Sequence, residues 1–412
     1  MRARGCRSGG AAIALVILAF AVAALADAPP PAVLRVGTSG DYKPFSFRDT
    51  GAFTGFDVVV AQRLATDLGR SIEFVPFQWP DLAAQLASGA FDIVMSGVTE
   101  RAERALQMAF SRPYVITGAV AVIRASDHKR FADVTRLDRS GARIAVNRGG
   151  HLEQVARLHF GHANIIAVSD NATLPDLLLH GGADAVVSEE LEARTWPQER
   201  IAILGPFTRD RKAYAVRRDA PDLRRQVNDW LAAREADGWL NEQRRRWLGE
   251  RATMTAQQAG FEALVTAMDL RLQLMPLVAA VKRREQLPIV DPAQEARVLE
   301  HVRSAAVQAG LNPDDVAEVF QLQMAAARAI ELSANTASTP SDLQLADLRG
   351  ALMTVSDEII TELARCNSWL ADPGSRDQLD STIRNGLSTP GLSPLMVDQL
   401  TAAVRHVRRV GP

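Results

Sequence analysis

The chain reads as an α/β module followed by an all-α module, and three observations predict this. Up to about residue 248, short apolar runs alternate with helical segments. Beyond about residue 255 the β-branched runs vanish, and apolar residues recur three and four apart, as in Leu264, Met268 and Leu272 or Val316, Val319 and Phe320. A length of 412 residues also suits two to three domains. Taken in order, strands are expected at 33–36, 72–75, 93–95, 120–123, 143–146, 165–168 and 185–187, with helices at 57–68, 80–88, 152–160 and 174–179. Strands alternating with helices imply a layered sheet structure. The Gln-, Thr- and Ala-rich stretch 254–260 is the expected joint.

The N-terminus reads as an address. Arg2, Arg4 and Arg7 lead an apolar run over 11–25, and Ala24, Leu25 and Ala26 form a small-x-small pattern before Asp27. A signal peptide is therefore expected over 1–26, with export to the periplasm or beyond. The run is short for a membrane span and Pro29, Pro30 and Pro31 follow it, so no membrane attachment is expected after cleavage. Lys and Arg number 47 against 48 Asp and Glu, leaving no basic excess for nucleic acid. Cys6 falls in the leader and leaves Cys366 alone, which excludes an internal disulfide or a cysteine metal site. The seven His residues show no metal-ligand spacing.

In the α/β module, residues 89–99 (GAFDIVMSGVT) form an apolar run that empties into Ser96 and Thr99. Ligands of open α/β sheets bind at such strand ends. Arg104 follows five residues later, where a guanidinium can hold a carboxylate by two parallel bonds. Asn147, Arg148, Gly149 and Gly150 lie between a strand and a helix, where backbone N–H groups can approach an anion. Together with 34–38 (LRVGT), 55–57 (GFD), Trp79, Glu103 and 110–114 (FSRPY), these residues resemble the family-3 periplasmic solute-binding proteins over about 33–247. That resemblance implies two α/β lobes on a hinge closing over an amino acid or similar anion, with Arg104 on its carboxylate.

Within this superfamily, 40–46 (GDYKPFS), 79–80 (WP), 170–171 (DN), 192–194 (EAR) and 212–214 (KAY) are similar to the exported cyclohexadienyl dehydratases. The resemblance implies decarboxylating dehydration of prephenate or arogenate in a domain spanning 27–250. Hydroxide leaves poorly, so a protonated acid must deliver its proton as the C–O bond breaks. Glu192 stands at the family's general-acid position, and desolvation together with Glu189 would raise its pKa. Arg104 and Lys212 would hold carboxylates, Trp79 would lie against the ring, and Tyr42, Ser96, Thr99, Asn147, Gly150 and Glu189 would complete the substrate site. His151 and Leu152 stand where the dehydratases have Thr-Asn. The alternative is an amino-acid-binding protein in which Glu189 recognises an ammonium and the helical part is not catalytic.

In the second module, Arg271 and Lys282 are eleven residues apart, three turns and about 16 Å along one straight helix. Ala327 and Glu331 share a helix face. The segments 277–282 (LVAAVK), 286–289 (QLPI), 291–292 (DP), 319–320 (VF), 323–324 (QM) and 329–331 (AIE) resemble the secreted all-helical chorismate mutases, closely over 261–333 and faintly beyond. The resemblance implies a mutase domain over 261–412 after a linker at 251–260. Arg271 and Lys282 would grip the carboxylates and ether oxygen, Glu331 would face that oxygen, and Gln294 and Glu295 would border the substrate. A pericyclic rearrangement suits such a site, because catalysis selects a compact conformer and places cations where the breaking bond gathers charge. Gln294 replaces the family's usual Arg and Ala327 its usual Thr or Asn, with Arg297, one turn on, as the candidate replacement. Chorismate, prephenate and arogenate are the implied small molecules, no metal or organic cofactor is required, and the resemblance admits a homodimer.

Overall fold

The computed structural model describes residues 32–334 and 342–410; the expected signal peptide lies outside them. Lobe one is built from β1 (Val33–Thr38), β2 (Asp41–Tyr42), β3 (Ser46–Asp49), β4 (Ala52–Thr54), α1 (Phe56–Asp67), β5 (Ser71–Pro76), α2 (Leu82–Ala87), β6 (Ile93–Val94), α3 (Ala102–Ala105) and β7 (Ala109–Phe110). β1 pairs in parallel with β5 and β6, with Leu34 and Val36 wholly buried. Two residues apart, they point to one face of the sheet and join the core of lobe one.

The chain crosses to lobe two along β8 (Val115–Thr117). It then forms β9 (Ala119–Arg124), β10 (Arg143–Asn147), α4 (His151–His159), β11 (Asn164–Val168), α5 (Leu174–Leu179), β12 (Ala185–Glu189), α6 (Glu190–Ala193) and β13 (Ile201–Leu204). It returns through β14 (Asp210–Lys212), antiparallel to β8, and inserts β15 (Ala215–Val216) between β6 and β7. Two five-stranded sheets result, in the orders β5-β1-β6-β15-β7 and β11-β10-β12-β9-β13. Helices α7 (Pro221–Ala236) and α8 (Trp239–Leu248) close lobe one. Every strand and helix expected up to residue 187 is present within a few residues. The extra strands are mostly two to four residues long, too short to leave a periodic signal.

From there the chain is helical: α9 (Ala256–Gln273), α10 (Met275–Arg284), α11 (Pro292–Gln308), α12 (Pro313–Ser333), α13 (Leu345–Leu370), α14 (Arg376–Gly386) and α15 (Pro394–His406). α9 starts inside the stretch expected as a joint, because Thr255 and Gln258 form a reciprocal capping box. It is apolar on nearly all sides, as a helix enclosed by protein should be. One expectation fails here. Arg271 and Lys282 do not share a straight helix, since α9 ends at Gln273 and α10 begins at Met275. Pro276 has no N–H to bond back and its ring crowds the preceding turn.

The modules are not beads on a string. Phe77, Phe91, Val94 and Phe110 of lobe one lie in one continuous apolar core with Phe261, Leu264, Met268 and Ile359 of the helices. Lobe two keeps its own cores, around Ile144 and Val187 on one face and Val122 and Leu178 on the other. Ion pairs Arg224–Glu358 at 3.0 Å and Arg112–Glu362 at 3.6 Å add to the lobe-one contact. The helical module is therefore fixed to lobe one.

Candidate functional site

A cleft opens between the lobes at the strand ends. Lobe one contributes Tyr42, Trp79, Gly97, Thr99 and Arg104, the return crossing contributes Lys212, and lobe two contributes Asn147, Gly150, His151, Leu152, Asn171 and Glu192. Its floor depends on Gly97, whose φ of 63° bends the chain where a Cβ would lie 2.6 Å from the Tyr42 ring. Buried Asp57 anchors that bend, accepting from the Gly97 N–H at 2.6 Å and from the Tyr114 and Tyr214 hydroxyls at 3.0 Å each.

Glu192 projects from the short helix after β12 and is only 5% exposed. Ser188 Oγ donates to its Oε2 at 2.8 Å, and the Asn171 amide donates to its Oε1. Burial pushes its pKa to about 8, with the charge on Glu189 a smaller contribution in the same direction. At neutral pH this carboxyl holds its proton and can give it away. Across the cleft, Lys212 Nζ donates to Thr99 Oγ1 at 2.9 Å and Tyr42 Oη at 3.2 Å. Burial lowers its pKa, against the opposing pull of Glu189 and Asp210. Arg104 Nη1 donates to the Thr99 carbonyl at 3.0 Å, and Arg104 has no ion pair among the described residues. Burial brings its pKa down to about 10, the signature of a cation short of an anion. Trp79 stands edge-on to Tyr42, 5.8 Å between centroids, and supplies an apolar wall.

Two expected lining residues lie elsewhere. Ser96 is wholly buried behind the bend, bonded to Ser46 Oγ at 2.6 Å and Ser39 Oγ at 2.9 Å, so it braces the wall and does not line the cleft. Glu189, in lobe two, is wholly buried as well and is not among the residues that line the cleft. It accepts from Thr117 and from the Leu191 N–H at 3.1 Å, which makes it the N-cap of α6. Asn171 and Leu152 were not singled out as lining residues by sequence. Asn171 belongs to the 170–171 (DN) motif, but nothing local ties it to Glu192, 21 positions away. His151 places Nε2 3.0 Å from Asp210, and burial lowers its pKa, so it is neutral in the cleft wall.

The helical module holds a second pocket, bordered by Arg271, Lys282, Asp291, Gln294, Glu295, Ala327, Arg328, Glu331 and Arg349. Lys282 Nζ donates to Glu331 Oε2 at 2.8 Å and to the Ile289 carbonyl at 2.6 Å. Arg271 is 5% exposed, lies over the Phe320 ring, and leaves Nε and Nη1 without partners. Burial alone lowers its pKa to about 10. Unpartnered buried N–H groups on a cation are costly unless an anion arrives. Arg297 is not the replacement expected for Gln294: it lies on the exposed side, donating to Gln294 Oε1 at 2.7 Å. Its guanidinium is spent on the Gln294 side chain, and Arg297 is not among the residues that border the pocket. Arg328, paired with Glu295 at 2.8 Å, and Arg349, paired with Asp291 at 3.3 Å, supply the additional cations. Among the described residues no His, Cys, Asp and Glu group is arranged to hold a metal ion.

Residues 34–250 match the model of bacterial extracellular solute-binding proteins, family 3, and residues 262–332 match chorismate mutase type II. Cyclohexadienyl dehydratase of Pseudomonas aeruginosa is 38% identical over 52% of this chain and 82% of that protein. The L-cystine-binding protein TcyJ of Escherichia coli is 32% identical over 53% of this chain and 84% of its own length. Among solved structures, the ancestral amino acid-binding protein AncCDT-1, a precursor of cyclohexadienyl dehydratase, is 34% identical with a TM-score of 0.51, covering 52% of this chain and 95% of that one. The chain belongs to family 3 of the bacterial extracellular solute-binding proteins and continues into a chorismate mutase type II domain.

Proposed function

We propose that the chain is an exported bifunctional enzyme. The helical pocket rearranges chorismate to prephenate, and the cleft converts prephenate to phenylpyruvate, or arogenate to phenylalanine, with loss of carbon dioxide and water. Its divisions are a signal peptide at 1–26, a dehydratase domain at 27–250, a linker at 251–260 and a mutase domain at 261–412. The observation that carries this reading is the buried carboxyl of Glu192 in the same cleft as Arg104 and Lys212, where burial pushes its pKa up to about 8.

In the cleft, Arg104 and Lys212 bind the substrate carboxylates and Trp79 flanks the ring. The ring carboxylate leaves as carbon dioxide, its bonding electrons complete the aromatic ring, and the hydroxyl departs as water with the Glu192 proton. Solvent then reprotonates Glu192. In the helical pocket Arg271 and Arg349 hold carboxylates, while Lys282, oriented by Glu331, faces the ether oxygen as charge gathers there.

A second reading, capture of an amino acid without turnover, draws support from the cystine-binding relative. Incubating the purified protein with prephenate and following phenylpyruvate separates the two. Turnover is expected; tight amino-acid binding by calorimetry with no product would favour capture.

A further inference from the structure

β14 is the return crossing between the lobes, and its alternating side chains serve different modules. Asp210 and Lys212 face the cleft side, where they meet His151 and Thr99. Arg211 points the opposite way, into the helical module. Its Nη1 donates to Asp269 Oδ2 at 2.7 Å and its Nη2 donates to the Gly386 carbonyl. Asp269 has no exposed side-chain surface and Arg211 has 7%. Asp269 is itself held by the Ser388 N–H at 3.0 Å, Thr389 Oγ1 at 2.9 Å and Gln273 Nε2 at 2.7 Å.

β14 is three residues long and pairs with β8, and Lys212 also bridges Thr99. Its backbone is tied to the bend carrying Thr99, since the Arg211 carbonyl accepts from the Glu100 N–H at 2.9 Å and Ala213 N–H donates to Val98 at 3.0 Å. The buried Arg211–Asp269 pair is the side-chain tether of this strand to the helical module, and replacing one or both partners removes it. We infer that Asp269, a residue of the helical module, is a positioning residue of the interlobe cleft: through Arg211 it fixes β14 and with it the ammonium of Lys212. The catalytic consequence rests on the dehydratase reading; the placement of Lys212 does not. Two residues along the same helix, Arg271 enters the second pocket, so one turn of α9 supports both sites.

The chain has four lysines, Lys43, Lys129, Lys212 and Lys282, and each pocket holds one. Full-length protein labelled with 13C at lysine Cε therefore gives each pocket its own NMR reporter. Asp269→Asn is the direct variant. Arg211→Met/Asp269→Leu removes both charges at similar volume and keeps the test open should the single variant not fold. In the variants the Lys212 resonance is expected to shift, and its titration midpoint to rise toward that of an ordinary lysine as the side chain gains water. The groups facing it are Glu189, Asp210, Glu192 and Arg104. KM for prephenate should rise about tenfold with a smaller change in kcat, within the range for members of one ion-pair network, while the Lys282 resonance stays in place. A folded double variant with wild-type Lys212 resonance and wild-type KM would overturn the inference. Should wild type fail to turn over prephenate, the dehydratase reading falls and the Lys212 resonance still decides this one.

Discussion

The cleft and the helical pocket each present an arginine without an ion pair among the described residues, half-buried in the cleft and buried in the helical pocket, yet the cleft also sets a carboxyl raised to about 8 with no cation bonded to it. Glu192 is pushed to about 8 by burial, with no cation paired to it. Glu331 is also raised, but Lys282 is bonded to it and opposes the shift. The difference follows the proposed chemistry. Expelling hydroxide needs a proton at the leaving oxygen, whereas a pericyclic shift needs placed charge and no proton at all. One chain thus shows two ways of using a carboxyl group, as donor and as a prop for lysine.

The largest expected effect breaks the first of these. Glu192→Gln should keep the fold and prephenate binding but lose dehydration by at least ~10²-fold, with mutase turnover unchanged. Steady-state assays with each substrate in turn check it. Next, Lys282→Ala should lower chorismate consumption by ~10²–10³ and leave the conversion of added prephenate alone; equal rates would remove Lys282 from the site. Arg349→Ala is expected to cost the mutase about tenfold, in line with one charge-assisted bond, and no loss would return the vacancy at Gln294 to an open question.

These variants also mark what the sequence disclosed. The places of Arg104, Glu192, Lys212 and Lys282 in the two pockets were legible because each sits in a short motif, whereas Arg271 was reached through its spacing from Lys282, which the break in the helix alters. Ser96 was misjudged because the turn at Gly97 redirects the chain just past it, and no periodicity reports a positive φ. Glu189 reads as a site acid until its capping of α6 is seen. Arg349 meets Asp291 across 58 positions, a contact that only tertiary packing creates, while Arg297 is near in sequence but turned outward. The break between α9 and α10 did carry a signal, Pro276, which the spacing of the two cations overrode.

Two smaller effects sharpen the contrast through pH. Because Glu192 must be protonated to act, kcat/KM for dehydration should hold through neutrality and fall as pH rises past about 8. Mutase turnover, with no proton to lose, should stay level across that interval, and a matching alkaline limb there would erase the distinction. Glu100, half-buried near Arg211 where the modules meet, is raised to about 8 chiefly by desolvation. The folded state binds its proton more tightly than the unfolded chain, so this group's contribution to stability falls as pH climbs from the unfolded value near 4.5 through about 8. Glu100→Gln should flatten that part of the decline in melting temperature, and an unchanged slope would assign the decline to other acids.

The most direct test supplies chorismate alone to the purified chain and follows prephenate and phenylpyruvate together. Wild type is expected to carry chorismate through to phenylpyruvate, and Glu192→Gln to accumulate prephenate instead. Phenylpyruvate formed by Glu192→Gln at the wild-type rate would contradict the account of Glu192 as the proton donor.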